Sequence, residues 1–393
     1  MDEERLFRAE VQNWLEAHCP AAMREPVRND ADICWGGRNP AFQSEAQREW
    51  LERMAAQGWT VPTWPVAYGG AGLTSAQASI LQEEMARINA RPPLTSFGVW
   101  MLGPALMKYG SEEQKLEHLP RIARGEIRWC QGYSEPGAGS DLAGLMTKAE
   151  DKGDHWLVNG SKIWTSYAHK ADWIFCLVRT ESDAPKHKGI SFLLFDMASA
   201  GVSAQPIELI SGASIFCQTF FDNVVVPKGN LIGQRGNGWE IAKYLLQHER
   251  ESIGGNFGLA EGESVSALAC RLAGKQDGML ADRAIRIDIA RHEMDTSAFA
   301  AAVDRVAEEM EAGTANPAIS SMIKYYGTEL NKQRHELTMA VAGSDGLIWS
   351  GDGAMDAHVP QEWLRSRANS IEGGTSEIQL NIIAKRILGL PQA

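Results

Sequence analysis

The sequence predicts an α+β protein in three parts: an N-terminal helical domain over residues 1–127, a small antiparallel β-domain over 128–234, and a C-terminal four-helix bundle over 235–393. Two observations carry this prediction. Apolar residues at helical spacing, with helix-start signals, dominate both ends of the chain, whereas the middle holds short apolar runs bounded by turn residues. Helices segregated from an antiparallel sheet in this way are typical of the α+β class.

The bulk properties exclude several kinds of partner. The net charge is −12 with 22% charged residues, which argues against nucleic acid or an anionic membrane surface as the main partner. No apolar run approaches the ~20 residues that would span a bilayer. The six cysteines and nine histidines show no metal-like spacing, so we expect no metal site. The first residues are typical of an acidic amphipathic helix and not of a signal peptide, which predicts a cytoplasmic location.

Helix starts in the N-terminal part are marked by hydroxyl residues followed three positions later by glutamine. Such capping boxes satisfy free N–H groups of the first helical turn. They begin at Ser44, Thr74 and Ser111, and a fourth at Ser376 marks the last helix of the chain.

The β-domain is predicted from turn signals and strand-like runs. Residues 151–154 and Asn159-Gly160 are turn signals that flank a short apolar stretch, which indicates hairpins. Further strands are predicted over 171–178, 189–195 and 216–226.

The C-terminal part is predicted to be helical throughout. Helices are expected over Trp239 to about Ala273, Leu280 to about Glu311, Pro317 to about Val341, and Ser376 to Leu388. Long helices of this kind pack as antiparallel bundles, and a wide apolar face often continues into an oligomer interface.

A stretch rich in glycine and hydroxyl groups, Gln131 to Gly144, opens the β-domain. Pro136, Gly137 and Gly139 force the backbone to turn. The hydroxyls and bare amides around them suit an anionic or ring-edge acceptor. From these residues alone, a ligand-cradling loop and an ordinary surface turn are equally consistent.

Glu249 interrupts an apolar stripe. Trp239, Ala242, Leu246 and Ile253 follow helical spacing, and Glu249 fills the remaining slot on the same face. A carboxylate there must be paired or functional, because burying an isolated charge is costly. It is either one half of a Glu–Arg brace or a general base whose pKa is raised by desolvation.

Two further segments have ligand chemistry. Trp164-Thr165-Ser166 combines a ring that can pack on a planar group with hydroxyls that can bond to its edge, although Trp and Thr are also ordinary strand residues. Ile371 to Glu377 is a second Gly-rich turn that leads into a helix start, where free amides favour phosphate or a polarised carbonyl. A simple capped turn between helices is the alternative.

Together these segments resemble the acyl-CoA dehydrogenase family over essentially the whole chain. The strongest match is Gly132 to Asp141, which is similar to the signature at the start of the family's middle domain. Other family blocks occur in the right order: Trp64–Gly70, Asn159–Ser166, Phe221–Pro227, Leu231–Gly233 and Gly373–Gln379. Locally, residues 129–134 and 171–176 most resemble the large subunit of pimeloyl-CoA dehydrogenase and related two-subunit enzymes.

The resemblance implies an FAD enzyme that oxidises the Cα–Cβ bond of an acyl-CoA thioester to a trans-2-enoyl thioester. A base removes the α-proton, hydride passes to flavin N5, and an electron-transferring flavoprotein takes the electrons. Residues implied to contact FAD are Gln131, Ser134, Gly139, Ser140, Trp164, Thr165, Ser166, Thr375 and Glu377. Ser140, Arg250 and Gly373 are implied to meet the substrate.

The first departure from the family pattern concerns the base. Many members carry it immediately before the final Gly-Thr-Ser turn, where this chain has Gly373, with Glu372 one residue out of register. Others use a Glu-Arg dipeptide of the bundle helix, which Glu249-Arg250 matches. The resemblance therefore implies Glu249 as the base, with Glu372 as the alternative. The amide of Gly373 is implied to bond to the thioester oxygen, a contact worth about 3 kcal/mol per donor.

The second departure concerns assembly. Family homotetramers usually carry an Arg-x-x-Phe-Gly block that grips a neighbour's FAD pyrophosphate, and this chain lacks the Phe-Gly part over Cys270–Met279. The glycine-rich block at Val341–Gly346 is also altered. The resemblance is therefore compatible with a homotetramer, or with an α2β2 heterotetramer in which a homologous chain supplies the pyrophosphate clamp.

Two other functions remain open from the sequence. One is an oxygen-using flavoenzyme on the same fold, such as an acyl-CoA oxidase. The other is a non-catalytic structural subunit of a heteromer, against which the retention of Trp164, Ser166 and Glu249 counts. The identity of the acyl group is not predicted beyond a weak indication of dicarboxyl, branched or cyclic groups.

Overall fold

The computed structural model describes residues 2–27, 29–246, 263–272, 274–351, 355 and 359–391. The chain divides into two compact units. Unit 1 comprises residues 1–206 and 216–245, and unit 2 comprises residues 207–215 and 246–393. Among the described helices, none combines the length and the apolar character needed to cross a membrane.

The N-terminal part of unit 1 is helical, as predicted. Its helices are α1 (Asp2–His18), α2 (Glu45–Ala56), α3 (Ser75–Arg87), α4 (Gly103–Tyr109) and α5 (Glu112–Ala123). A π-helical turn, Gly98–Leu102, leads directly into α4. The core that joins α1, α2 and α3 includes Leu15, Trp50 and Leu81, all almost fully buried, so each helix contributes one apolar face.

Local helix-start signals are largely confirmed. Thr74 and Ser111 form complete capping boxes with Gln77 and Gln114. Ser44 caps α2 by accepting the Gln47 amide, but the Gln47 carboxamide oxygen accepts from the Gln43 amide instead of from Ser44.

The middle part of unit 1 is a sheet in the order β6-β7-β3-β2-β4-β5-β8. The strands are β1 (Trp129–Gly132), β2 (Lys148–Asp151), β3 (His155–Ser166), β4 (Trp173–Arg179), β5 (Ile190–Asp196), β6 (Val202–Ile207), β7 (Phe216–Pro227) and β8 (Leu231–Ile232). The pairs β2–β3, β3–β7, β4–β5 and β5–β8 are antiparallel, whereas β1 and β2 each pair with β4 in parallel. The sheet is therefore predominantly antiparallel.

The turn predicted at Asn159-Gly160 is wrong. Both residues lie inside β3, and the irregularity is a register shift against β7 between Val158 and Gly160. Gly160 is needed there because its φ is 147° and a Cβ would lie 2.7 Å from the Thr147 Cα. Asn159 accepts the amide of Asn223 across the strands at 2.8 Å, so tertiary pairing replaces the local turn.

Unit 2 is built mainly from helices. They are α7 (Val265–Leu272), α8 (Arg283–Glu311), α9 (Ile319–Ala342), α10 (Val359–Ser366) and α11 (Ser376–Ile382), the last extended by a π-helical turn to Ile387. The preceding helix, α6, covers 238–246 in its described part. A short hairpin, β9 (Lys275–Gln276) and β10 (Met279–Leu280), stands in the region that lacks the Phe-Gly block.

Two details of these helices differ from the prediction. The single helix expected from Trp239 to Ala273 is interrupted, because 263–264 are not helical and Ser264 accepts the Ala267 amide at the start of α7. The cap of α11 is Thr375 and not Ser376, whose hydroxyl donates to Glu329.

Candidate functional site

The glycine-rich loop after β1 is fixed by a buried ion pair. The Glu135 carboxylate accepts from Lys162 Nζ at 2.7 Å and from the amides of Met146 and Thr147 at 2.6 and 2.9 Å. Lys162 is fully buried and also donates to the Tyr133 carbonyl at 3.1 Å. Four hydrogen bonds therefore converge beneath the loop, which makes its backbone a rigid support.

The charge of Glu135 is retained despite its burial. Burial is the largest influence and acts to raise the pKa of this carboxyl, but the charge and hydrogen bond of Lys162, with the Thr147 and Met146 bonds, lower the pKa below its usual value. Glu135 is consequently ionised at neutral pH. These bonds place Glu135 in the support of the loop backbone.

A bulge in β3 presents Trp164 beside this loop. The register against β7 shifts between Lys162 and Thr165, and Trp164 adopts a positive φ of 60°. Trp164 is 52% exposed. Its ring packs edge-on against the Phe216 ring, with 6.0 Å between the ring centroids. A strained bulge that turns a large aromatic side chain toward solvent is a feature typical of functional sites.

The loop and the bulge are joined by the backbone. The Ile163 amide donates to the Ser134 carbonyl at 2.9 Å, so Ser134 lies next to the segment that carries Trp164 and Ser166. Thr165 points the other way: it is fully buried, and its hydroxyl has no hydrogen-bond partner within the described residues. Any contact from Thr165 to a ligand would therefore use its backbone.

The rest of the loop is open. Gln131 on β1 is partly buried and Ser140 is exposed. A Cβ added at Gly137 or Gly139 would meet nothing within 4 Å, so there is room beside both amides. Asp141, the residue after Ser140, pairs with Lys186. Unit 1 thus brings Gln131, Ser134 and the Trp164–Ser166 segment together, with Gly139 and Ser140 on the adjoining exposed turn.

The second Gly-rich turn forms a separate structure in unit 2. Gly373 and Gly374 have positive φ values of 63° and 92°, which favour glycine. The buried Gln379 carboxamide donates to the carbonyls of both, at 3.0 and 3.2 Å. Because both carbonyls are engaged, the orientation of the peptide units around Gly373 is fixed.

Thr375 and Glu377 complete this turn. The Thr375 hydroxyl accepts the Ile378 amide at 3.3 Å and so caps α11. The pKa of Glu377 lies below its usual value, because its carboxylate accepts its own backbone amide and the Thr375 hydroxyl. Acidic groups at a helix N-terminus are stabilised in this way.

The Glu372 carboxylate accepts three hydrogen bonds from two neighbouring residues. Arg365 donates to both oxygens, at 2.7 and 3.3 Å, and Asn369 Nδ2 donates to Oε1 at 2.6 Å. Asn369 in turn accepts from Asn331 at 2.8 Å on Oδ1 and from the buried Lys324 at 2.9 Å on its carbonyl. This network braces the segment that precedes Gly373.

Glu249 and Arg250, predicted as the base and a substrate contact, lie outside the described residues. Within the described residues, no group of three or more His, Cys, Asp or Glu side chains could hold a metal. Several supporting residues were missed by sequence reasoning: Glu135, Lys162, Arg365 and Asn369. Nothing in the one-dimensional pattern separates a buried lysine in a strand from a solvated one.

Three family models match successive parts of the chain. Models described as the acyl-CoA dehydrogenase N-terminal, middle and C-terminal domains match residues 1–126, 130–224 and 236–388. The chain is 36% identical to the acyl-CoA dehydrogenase IpdE1 of Mycobacterium tuberculosis, over all of this chain and 99% of the relative.

Two solved structures are similar over the full length. One, named Tcur3481-Tcur3483 steroid ACAD, has a TM-score of 0.80 and 31% identity, with 100% of this chain and 99% of that chain covered. The other is the ChsE4-ChsE5 complex from Mycobacterium tuberculosis, with a TM-score of 0.79, 29% identity and the same coverage.

Proposed function

The chain belongs to the acyl-CoA dehydrogenase family and has its fold, and on this premise we propose that it catalyses FAD-dependent α,β-dehydrogenation of an acyl-CoA thioester to a trans-2-enoyl-CoA. The observation that carries the proposal is the strained bulge with the exposed Trp164 beside the braced Gly-rich loop. Such a surface suits a planar cofactor ring with hydrogen-bonding edges.

The residues of unit 1 fit FAD on this evidence. Trp164 offers an aromatic face, and the partly buried Gln131, Ser134 and Ser166 lie on the adjoining strands and loop. Open space beside Gly139 leaves room for a ligand to approach the backbone. In unit 2, Thr375 and Glu377 are the proposed contacts at the start of α11. FAD, when bound, would supply the hydride acceptor, and an electron-transferring flavoprotein is the proposed partner for its reoxidation.

The remaining steps are performed by groups of this chain. Glu249 is the proposed base for the α-proton, and the adjacent Arg250 is a proposed contact to the thioester end. The Gly373 amide is the proposed donor to the thioester oxygen, where it would stabilise the charge that develops as the proton leaves. The Gln379 bonds to the Gly373 and Gly374 carbonyls support this role, because a preorganised donor needs no reorganisation during the reaction.

Glu372 is a weaker candidate for the base. Arg365 and Asn369 make three hydrogen bonds to its carboxylate, so this carboxylate is already engaged within the turn and would have to leave these partners to reach a substrate. The favoured role of Glu372 is to brace the turn before Gly373.

The proposed assembly is an α2β2 heteromer with a homologous chain. The support is the absence of the Phe-Gly block in the sequence and the similarity to the ChsE4-ChsE5 complex. The name of another similar structure, a steroid ACAD, favours a steroid-derived or other cyclic acyl group as the substrate.

Anaerobic reduction of the flavin tests the reaction. A panel of acyl-CoA thioesters, with straight, branched and polycyclic acyl groups, is added to the purified holoenzyme, and the flavin absorbance near ~450 nm is followed. Bleaching with at least one thioester, and formation of the enoyl product, is expected. Absence of bleaching across the panel in FAD-loaded protein would contradict the proposal, and rapid reoxidation by air alone would favour an oxidase.

The proposed heteromer leads to a separate testable prediction. The chain purified alone should contain substoichiometric FAD, whereas co-expression with a homologous chain encoded in the same organism should give a stable complex with bound FAD. The measurements are the FAD-to-protein ratio and the mass by light scattering. A stable homotetramer with stoichiometric FAD would rule the heteromer out.

A further inference from the structure

Away from the flavin contacts proposed above, unit 1 contains a cavity of about 720 Å³. It lies between the segment after α1 and the residues that immediately precede strands β1 and β4. Its apolar wall includes Ile33, Trp35 and Phe42, and its polar lining includes Arg128, Lys170 and Asp172. The volume falls within the ~300–1,000 Å³ that is common for small-molecule sites.

Arg128 is the notable group in this cavity. Only 9% of the residue is exposed, and its guanidinium stacks on Trp35 at 4.6 Å and on Tyr167 at 5.1 Å. Within the described residues the guanidinium makes no hydrogen bond or ion pair; the bonds of Arg128 are those of its backbone. A guanidinium has five N–H donors, so a buried one normally finds an acceptor.

A lining carboxylate, Asp172, bonds to backbone amides and not to the Arg128 guanidinium. Asp172 Oδ2 accepts the backbone amides of Arg38 and Arg128, at 2.7 and 2.8 Å. Burial lowers the pKa of Arg128, and the charges of Tyr167 and Asp172 offset this only in part. Among the described residues the cation is therefore desolvated without a direct counter-ion, and an incoming anion would supply both a charge and acceptors.

We propose that this cavity binds a carboxylate attached to an apolar body, with the carboxylate on Arg128 and the body against Trp35 and Phe42. The planar guanidinium matches a carboxylate in a bidentate arrangement. A bare phosphate has no apolar group that could pack against the aromatic wall. Asp172 and Asp30 on the lining disfavour a multiply charged ligand.

The carboxylate can come from two sources. It is either the far end of an ω-carboxyacyl-CoA or a separate carboxylic acid. Arg128 and Tyr167 lie close along the chain to residues proposed to contact FAD. Arg128 is three residues before Gln131, which corresponds to roughly 10 Å along an extended chain, and Tyr167 directly follows Ser166. The first source rests on the proposed function, whereas binding of the free acid does not.

The test is calorimetric titration of the holoenzyme with cyclohexanecarboxylate and, for comparison, with the neutral cyclohexanecarboxamide. The acid should bind at least ten times more tightly than the amide. Arg128→Met should lower the affinity for the acid about 10–100-fold, as expected from losing charge-assisted bonds of ~1.5–3 kcal/mol. Arg38→Met, which removes a nearby cation that pairs with Asp196, should leave the affinity unchanged.

Stability separates a binding role from a structural one. Arg128→Met should not lower the melting temperature of the ligand-free protein, because it removes a buried cation without a counter-ion. Equal binding of acid and amide, or equal binding of the acid by wild type and Arg128→Met, would overturn the proposal. If Arg128→Met does not fold, Arg128→Lys replaces it, with weaker acid binding expected because the bidentate fork is lost.

Competition then identifies the source. If the acid competes with acyl-CoA and Arg128→Met raises KM for an ω-carboxyacyl-CoA but not for the methyl-ended thioester of the same length, the ligand is the far end of the substrate. If acid and acyl-CoA bind together, the ligand is a separate molecule.

Discussion

Glu249→Gln is expected to reduce kcat about 10²–10⁴-fold, the usual contribution of a positioned general base. Glutamine has nearly the same shape as glutamate but cannot accept the α-proton. FAD content and KM should change little, since no flavin contact is assigned to Glu249. The measurement is steady-state oxidation of the best acyl-CoA by the reconstituted holoenzyme, together with the rate of anaerobic flavin bleaching.

Glu372→Gln is the matched control. It keeps a side chain that can accept from Arg365 and Asn369 but removes the charge that pairs with Arg365. We expect a loss of activity of less than about tenfold and a fall in stability of about 1 kcal/mol, as for a partly exposed pair. If Glu372→Gln abolished turnover while Glu249→Gln retained it, the two roles would have to be exchanged.

Lys162→Met is expected to destabilise unit 1 by about 3–5 kcal/mol, because it leaves the buried Glu135 carboxylate without its cation. The loop that Glu135 supports carries Ser134 and Ser140, so FAD content should fall with stability. Urea unfolding followed by tryptophan fluorescence, and the FAD-to-protein ratio, measure both effects. Lys186→Met, which breaks the exposed pair with Asp141, should cost less than about 1 kcal/mol.

The same pair gives a pH dependence with a definite sign. The pKa of Glu135 is lowered in the folded protein, so its contribution to stability is complete above the unfolded pKa near ~4.3 and is lost as the pH falls through the lower folded value. Glu135→Gln combined with Lys162→Met should unfold with a shallower acid dependence than wild type and recover part of the Lys162→Met loss. An unchanged acid dependence would mean that Glu135 is not the titrating group.

The outcomes for individual motifs show where sequence reasoning is reliable. The capping boxes at Thr74 and Ser111 were predictable because their bonds join residues three positions apart. The capping box predicted at Ser376 was wrong. The Gln379 side chain donates to the Gly373 and Gly374 carbonyls, and Thr375 caps the helix instead. The turn predicted at Asn159-Gly160 was also wrong, since pairing with β7 outweighed the local turn preference.

The candidate site shows the same difference between features set by local sequence and features set by tertiary contacts. The sequence by itself determined the three-part order of helices, sheet and helices, the family, and the residue types proposed to meet FAD and substrate, because these are set by local spacing and ordered motifs. Only the tertiary structure decided that Trp164 protrudes from a strained bulge, that Thr165 is buried, and that Lys162 and Glu135 neutralise each other beneath the loop. Burial and charge pairing depend on residues distant in the chain, which no local pattern encodes.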